Sequence, residues 1–439
     1  MKLVSTRNSN HVVSFKQAIF DCMPADGGLY VPYSEHDLRS WILHMNEQTS
    51  FSAIAGSLTA ALLKEELSPV ISERIAADAF HSYSPRLRQL DDRLFLLELF
   101  HGPTGNHRDF GFLWLASALE NMLTIDEKKA IVIAPSTGAG GRSMAAAFGN
   151  KKHLKLVILY PKGCAKGLKP EHLIENGGSV YPVEVDGDST DVENIIRTIY
   201  QDRSLVEGYN LTLANTVNIG RILPQAFFYM FAFTRIKTRT AGEIFYAVPS
   251  GNYGNIAAGL YAWKFCLPVN GFITDATEAL TCDEAGRCYC VNSTIPLTER
   301  GPNDPAVPSN IERLEQTFAV SPAVMKSIIF PSQVSNTETE TLIRESYKRY
   351  GIMFDTATAY AYAAAQNRKI IQRQGVESLV LVSKDHPAFE SDILNRICGE
   401  PPIIPEYLHN IDAPIPHVPC ITGTREELIT ILNLVSEVR

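Results

Sequence analysis

No run of some eighteen apolar residues occurs anywhere in the chain, so a membrane-spanning helix is not expected. The start, "MKLVSTRNSNHVVSF", lacks a long apolar stretch followed by a small-residue cleavage site, and a cytoplasmic location is expected. Excess positive charge is also missing. Forty Lys plus Arg against 48 Asp plus Glu give a formal net charge of −8, which argues against general nucleic-acid or anionic-membrane binding and leaves small anions as ligands. The eight cysteines are scattered. Their tightest group, Cys282, Cys288 and Cys290, lacks paired C-x-x-C spacing, so reduced structural cysteines and no metal site are expected.

What is present is alternation. The β-rich runs "KAIVIAPS", "LKLVILYP", "GGSVYPVEV" and "EIFYAVPS" alternate with the helical runs "SMAAAFGN", "DVENIIRTIYQD" and "NIAAGLYAWKF". This is the signature of parallel sheets with helices on both faces, in which sites lie at the carboxyl ends of strands. The 439 residues are expected to divide three ways. Residues 1–90 read as a mainly helical unit after a short extended start, because "SFSAIAGSLTAALLKEELS" and "SERIAADAFHSY" have helical periodicity. A first α/β domain follows over 91–235 and a second over 236–439, with a Pro-rich tail that wraps back before a closing helix.

Four loops invite chemistry. After "EIFYAVPS", the stretch Ser250-Gly251-Asn252-Tyr253-Gly254-Asn255 turns directly into a helix. Its two glycines can aim backbone N–H groups inward, and the helix amino end adds positive potential, so it suits a phosphate; a plain strand-to-helix connection is the competing reading. The ring of Tyr253 is expected to pack. The turn Thr137-Gly138-Ala139-Gly140-Gly141 resembles a dinucleotide fingerprint but carries Ser143 where the third glycine belongs, and no Walker loop occurs. In "ANTVNIGRILPQ", Asn215, Asn218 and Arg221 can place two carboxamides and a phosphate-gripping guanidinium together, or simply cap a helix. The fourth loop is "TGNHRDFGF", residues 104–112, where Asp109 is expected to cap the helix that follows.

Read together, "STRN", "VSFKQAIFDCMPADGGLYVP", "LELFHGPT", "DFG", "LYPKG", "ANTVNIGRILPQ", "VPSGNYGNIAAGLYA", "VPSNIERL" and "DHPAF" resemble the threonine synthase family, pyridoxal-phosphate proteins of the tryptophan-synthase-β fold, or fold type II. The resemblance implies that the Gly251 to Asn255 loop cradles the cofactor phosphate. It also implies that Asn215, Asn218 and Arg221 face a phosphorylated substrate, and that the reaction turns O-phosphohomoserine into threonine and phosphate. In the family the loop at 101–111 reads approximately H-G-P-T-L-A-F-K-D-F-G, and its lysine forms the internal Schiff base. Here that position is Arg108, and a guanidinium stays protonated and is a poor nucleophile.

Further departures cluster in the same pocket. The family's S-G-D-T-G substrate loop aligns with 137–141, so the resemblance implies that Thr137, Gly138, Gly140 and Gly141 face the substrate or an anion, while its Asp becomes Ala139 and its Thr becomes Gly140. The Thr expected near the pyridine nitrogen is Lys384, and a P-H pair becomes Thr356-Ala357 after Asp355. His101 and His386, beside these loops, are expected to hydrogen-bond backbone.

Three functions follow as expectations. In the first, the chain binds a phosphorylated small molecule, or pyridoxal phosphate without a covalent bond, and does not make threonine; Arg108, Arg221 and Lys384 supply the charge. In the second, it is a working lyase that uses Lys384, the only lysine a motif places near the cofactor. In the third, it is a non-enzymatic partner of another protein. Monomer and homodimer both remain open.

Overall fold

The computed structural model describes residues 1–240, 242–284, 286–290, 295–302, 304, 306–319, 321–368 and 377–437. Two parallel sheets form its frame. The larger has strand order Ile329–Ser332, Gly271–Asp275, Ile244–Ala247, Ser378–Ser383, Leu94–Glu98 and Arg86–Asp91, parallel throughout except for the last, which pairs antiparallel at the edge. The smaller is parallel, in the order Cys420–Ile421, Val180–Val185, Leu154–Pro161, Ala130–Pro135 and Leu211–Leu213. Strands such as Leu94–Glu98 and Ser378–Ser383 are buried along their whole length, as expected of parallel strands covered by helices on both faces.

The helical readings of the first 80 residues hold. Phe51–Leu63 starts at a Ser50 cap, and Pro69–Phe80 starts at a Ser68 cap with proline at the first position. They pack against Arg108–Asp126, with Phe51, Phe80, Phe110 and Phe228 stacked edge to face and tilted within about 6 Å of one another. The extended start is a small antiparallel sheet of Lys2–Ser5, Val13–Ser14 and Tyr30–Pro32.

The expected divisions at 91 and 236 do not follow the sheets. Strand Leu94–Glu98, placed by sequence in the first α/β unit, pairs with Ser378–Ser383 in the larger sheet. The tail returns in the opposite sense: Cys420–Ile421 joins Val180–Val185, and helix Arg425–Glu437 packs Leu428, Ile431, Leu432 and Val435 against the smaller sheet's outer face. Sequence order and sheet membership separate because pairing is decided by side-chain packing between distant segments. Among the described residues, no helix is long and apolar enough to cross a membrane.

Candidate functional site

The strand order of the larger sheet builds the site. Ile244–Ala247, Ser378–Ser383 and Leu94–Glu98 are parallel neighbours, so the loops that leave their carboxyl ends emerge side by side. Residues 250–255 leave the first, Lys384 leaves the central strand, and residues 101–107 leave the third. His107 N donates to Lys384 O at 2.7 Å and His386 N to Gly105 O at 2.9 Å, which stitch the second loop to the third.

In the first loop, Asp275 at the end of the neighbouring strand accepts from Ser250 N at 2.9 Å and Ser250 Oγ at 2.5 Å. Asn252 Oδ1 accepts from Gly254 N at 3.2 Å. Tyr253 caps the helix Gly254–Lys264 in the left-handed region, at φ 61°. Its phenol, pushed up to about 12 by burial, meets Thr277 Oγ1, so the ring packs and is also anchored. Among the described residues, no hydrogen bond takes up the N–H of Gly251, Asn252 or Asn255. These donors surround the first turn of an eleven-residue helix, the arrangement that binds phosphate. Asn255 has its side chain turned away, toward Gln225 Oε1.

Lys384 reaches this loop. Its Nζ lies 3.4 Å from Pro249 O, and a Cβ placed on Gly251 would stand 2.9 Å from Nζ. Burial lowers its pKa, as does Arg108, while Asp385, Asp355 and Asp275 pull it up. Asp355, buried beneath Ser383 and Thr358, is raised by burial to about 7.

Arg108 begins the helix Arg108–Asp126, and its Nη1 lies 3.4 Å from Asp385 Oδ1. His107 Nδ1 is 3.6 Å from the same oxygen, and burial lowers His107 to about 3. Burial would raise Asp385, but His107, Arg108 and Lys384 outweigh it and hold the carboxyl well below the usual carboxylate range. On its other side Arg108 lines a cleft of about 250 Å³ with Ser136, Thr137, Gly140, Ser189 and Glu193.

Several expected site residues have other tasks. Asp109 lies inside the first turn rather than capping it, and its carboxylate accepts from Thr104 N at 2.8 Å and Thr104 Oγ1 at 2.5 Å. Ser136 Oγ takes the N–H groups of Gly138 at 3.1 Å and Gly141 at 2.6 Å, so two of that turn's donors are satisfied internally, while among the described residues those of Thr137, Ala139 and Gly140 find no partner. Gly138 holds φ 137°, Gly141 makes room for Tyr160 Oη, and Thr137 is exposed at the cleft. Asn218 is fully buried and donates to Ile19 O at 2.9 Å and Leu213 O at 2.8 Å, while its Oδ1 caps Gly220 N. It therefore serves as the helix cap and not as a ligand group. Asn215 Oδ1 accepts from Val217 N at 3.0 Å. Arg221 is buried over the Phe112 ring at 4.1 Å, with Nε and Nη1 making no hydrogen bond, and burial together with Arg108 lowers it to about 9. His386 Nδ1 accepts from Ala388 N at 3.1 Å, the backbone role expected of it, whereas His101 binds the Glu98 carboxylate at 2.6 Å instead.

Asp385 and His107 were not assigned roles from sequence. Both stand inside quoted motifs, but only the adjacency of two strand ends brings Asp385 to His107 and Arg108.

Residues 82–384 match the family model of pyridoxal-phosphate dependent enzymes, and residues 2–80 match that of the threonine synthase N terminus. Threonine synthase of Serratia marcescens is 29% identical over 412 residues, covering 93% of each chain. That of Escherichia coli strain K12 is 28% identical over 425 residues, covering 93% of this chain and 94% of its own. In fold, the chain is similar to PLP-bound threonine synthase from Brucella melitensis, with a TM-score of 0.80 at 22% identity and full coverage of both chains. The α/β frame, the paired strand ends and these matches agree: the chain belongs to the threonine synthase family of fold type II pyridoxal-phosphate-dependent proteins.

Proposed function

We propose that the chain binds a phosphorylated small molecule, pyridoxal phosphate being the first candidate, without a covalent bond at the Gly251 to Asn255 cradle. We further propose that it does not turn over O-phosphohomoserine through position 108. One observation carries this reading. Lys384 Nζ is directed at Gly251, while position 108, which the resemblance aligns with the Schiff-base lysine, holds a guanidinium 3.4 Å from Asp385.

The residues fit the cofactor at one end only. The unpaired N–H groups of Gly251, Asn252 and Asn255, the helix amino end and the Lys384 ammonium suit a phosphate dianion. The carbonyl end finds no amine at position 108, because Arg108 presents a guanidinium paired with Asp385. Lys384 acts as counter-charge, and Asp275 fixes the loop through Ser250.

A second reading rests on the burial of Lys384. Desolvation favours its neutral amine, the form that attacks an aldehyde. Titration with pyridoxal phosphate, followed by borohydride and peptide mapping, separates the two. Binding with no labelled lysine supports the first reading; label on Lys384 establishes the second. Absence of binding by both pyridoxal phosphate and inorganic phosphate sinks the cradle itself.

A further inference from the structure

Three cysteines that the site does not use lie on one hairpin beside the cradle. Strands Leu280–Cys282 and Cys288–Cys290 pair antiparallel, with Cys282 opposite Cys288 and Leu280 opposite Cys290. Asp283 N donates to Arg287 O at 3.0 Å, so the next pair along, Cys282 and Cys288, is a non-hydrogen-bonded one. In such pairs the Cα atoms stand about 4.5 Å apart and both side chains project from one face. A disulfide spans Cα separations of about 4.4–6.8 Å, so this pair can close without moving the backbone. Both are free thiols, and among the described residues no cluster of His, Cys, Asp or Glu is arranged to hold a metal. Cys288 is fully buried, whereas Cys282 is partly exposed, which gives one thiol that a small reagent can reach and one behind it.

The hairpin is tied to the cradle through Thr277. Thr277 N donates to Leu280 O at 2.8 Å, and its Oγ1 accepts from Ala279 N at 3.1 Å while meeting the Tyr253 phenol. Tyr253 is a non-glycine residue held at φ 61° where the cradle enters its helix. A side chain in that region needs its surroundings to keep it there: Tyr253 N donates to Ser250 O at 2.8 Å, Tyr253 O accepts from Ala257 N at 2.9 Å, and Thr277 anchors the far end of the ring.

We propose that Cys282 and Cys288 form a reversible cross-strand disulfide by exchange with a small-molecule disulfide, and that closing it tightens anion binding at the cradle through Thr277 and Tyr253. The coupling half rests on the cradle reading above; the disulfide half does not. In the first step the Cys282 thiolate attacks one sulfur of R–S–S–R, forms a mixed disulfide and releases one R–SH. The Cys288 thiolate then attacks the Cys282 sulfur and releases the second R–SH. Two protein thiols are oxidised and one disulfide is reduced to two thiols, so no further reactant is required. Burial pushes the Cys288 thiol up, which assigns the first attack to Cys282 and leaves Cys288 to resolve the mixed disulfide at close range.

The test equilibrates the full chain with oxidised glutathione, blocks remaining thiols, and maps linked peptides. A Cys282 to Cys288 link is expected, with blockable thiols falling from eight to six, and no such link in Cys282→Ser. Phosphate affinity measured calorimetrically is expected to be about three-fold or more tighter in the oxidised form, because cross-linking pre-organises the loop. That difference should vanish in Cys282→Ser and persist in Cys290→Ser. No link, or a link only through Cys290, overturns the disulfide. A mapped link with equal phosphate affinity in both forms overturns the coupling. If phosphate binds neither form, the cradle reading and the coupling fall together, while the mapped link stands by itself.

Discussion

Two glycine-rich turns, each leaving a parallel strand and entering a helix, are held by their serines in different ways. At 137–141 the hydroxyl of Ser136 lies over its own turn and accepts both Gly138 N and Gly141 N, while among the described residues the N–H groups of Thr137, Ala139 and Gly140 find no partner. At 250–255 the corresponding serine is drawn away by Asp275, and the N–H groups of Gly251, Asn252 and Asn255 stay without partners beside a half-buried lysine. Glycines make both turns sterically accessible. What separates them is the serine, which covers its own turn at 136 and is held by an outside carboxylate at 250, and the lysine that stands beside the second turn.

The largest expected effect comes from placing an amine at position 108. Arg108→Lys should give a borohydride-trapped lysine at 108 with pyridoxal phosphate where the native chain gives none; an unlabelled 108 in a variant that binds the cofactor would show that more than one residue has changed the site. Next, Lys384→Ala should weaken inorganic phosphate about 10- to 100-fold by calorimetry, the usual value of a charge-assisted hydrogen bond being about 1.5–3 kcal/mol. Unchanged affinity would assign the binding to backbone N–H groups alone.

The pH dependence of stability tests the buried groups behind the second turn. Asp355 stands at about 7 in the fold, above its ordinary value, so the folded state holds the extra proton and stability falls as pH rises from about 4 to about 7. The full difference corresponds to about 4 kcal/mol. His107, lowered to about 3, acts oppositely: the unfolded chain holds the extra proton, and stability rises with pH up to about 6.5. Between about pH 4 and 6.5 the two offset each other in the native chain. Asp355→Asn, which keeps a good helix cap, should unmask a rise across that window in urea titrations; a variant as flat as the native chain would contradict the assignment.

The first turn gives the smaller effects. Gly141→Ala puts a Cβ 2.1 Å from Tyr160 Oη and should cost about 1–3 kcal/mol in unfolding free energy. Gly140→Ala, whose nearest neighbour is Ser136 Oγ at 3.6 Å, should stay within about 0.5 kcal/mol of the native chain. Neither should alter phosphate binding. A loss of binding in Gly140→Ala would erase the contrast between the turns.

The two turns also show how far the sequence was legible. Helical periodicity located Phe51–Leu63 and Pro69–Phe80, and the β-rich runs located the strands before both turns. The same reading gave both turns ligand roles, because glycine spacing reports conformational freedom and says nothing of acceptors. Asn218 failed for a similar reason: a carboxamide near an arginine reads the same whether it faces a ligand or, as here, the carbonyls of Ile19 and Leu213.

By itself, then, the sequence determined the α/β alternation, a phosphate-suited turn at 250–255 and a guanidinium at position 108, since all three depend on local periodicity, turn chemistry or the identity of one side chain. Tertiary structure alone placed Leu94–Glu98 in the larger sheet and set Lys384 between the cradle and Arg108. It also brought Asp385 to an arginine 277 positions away. Strand order and hydrogen-bond partners are set by packing between segments remote in sequence, and no local pattern carries that information.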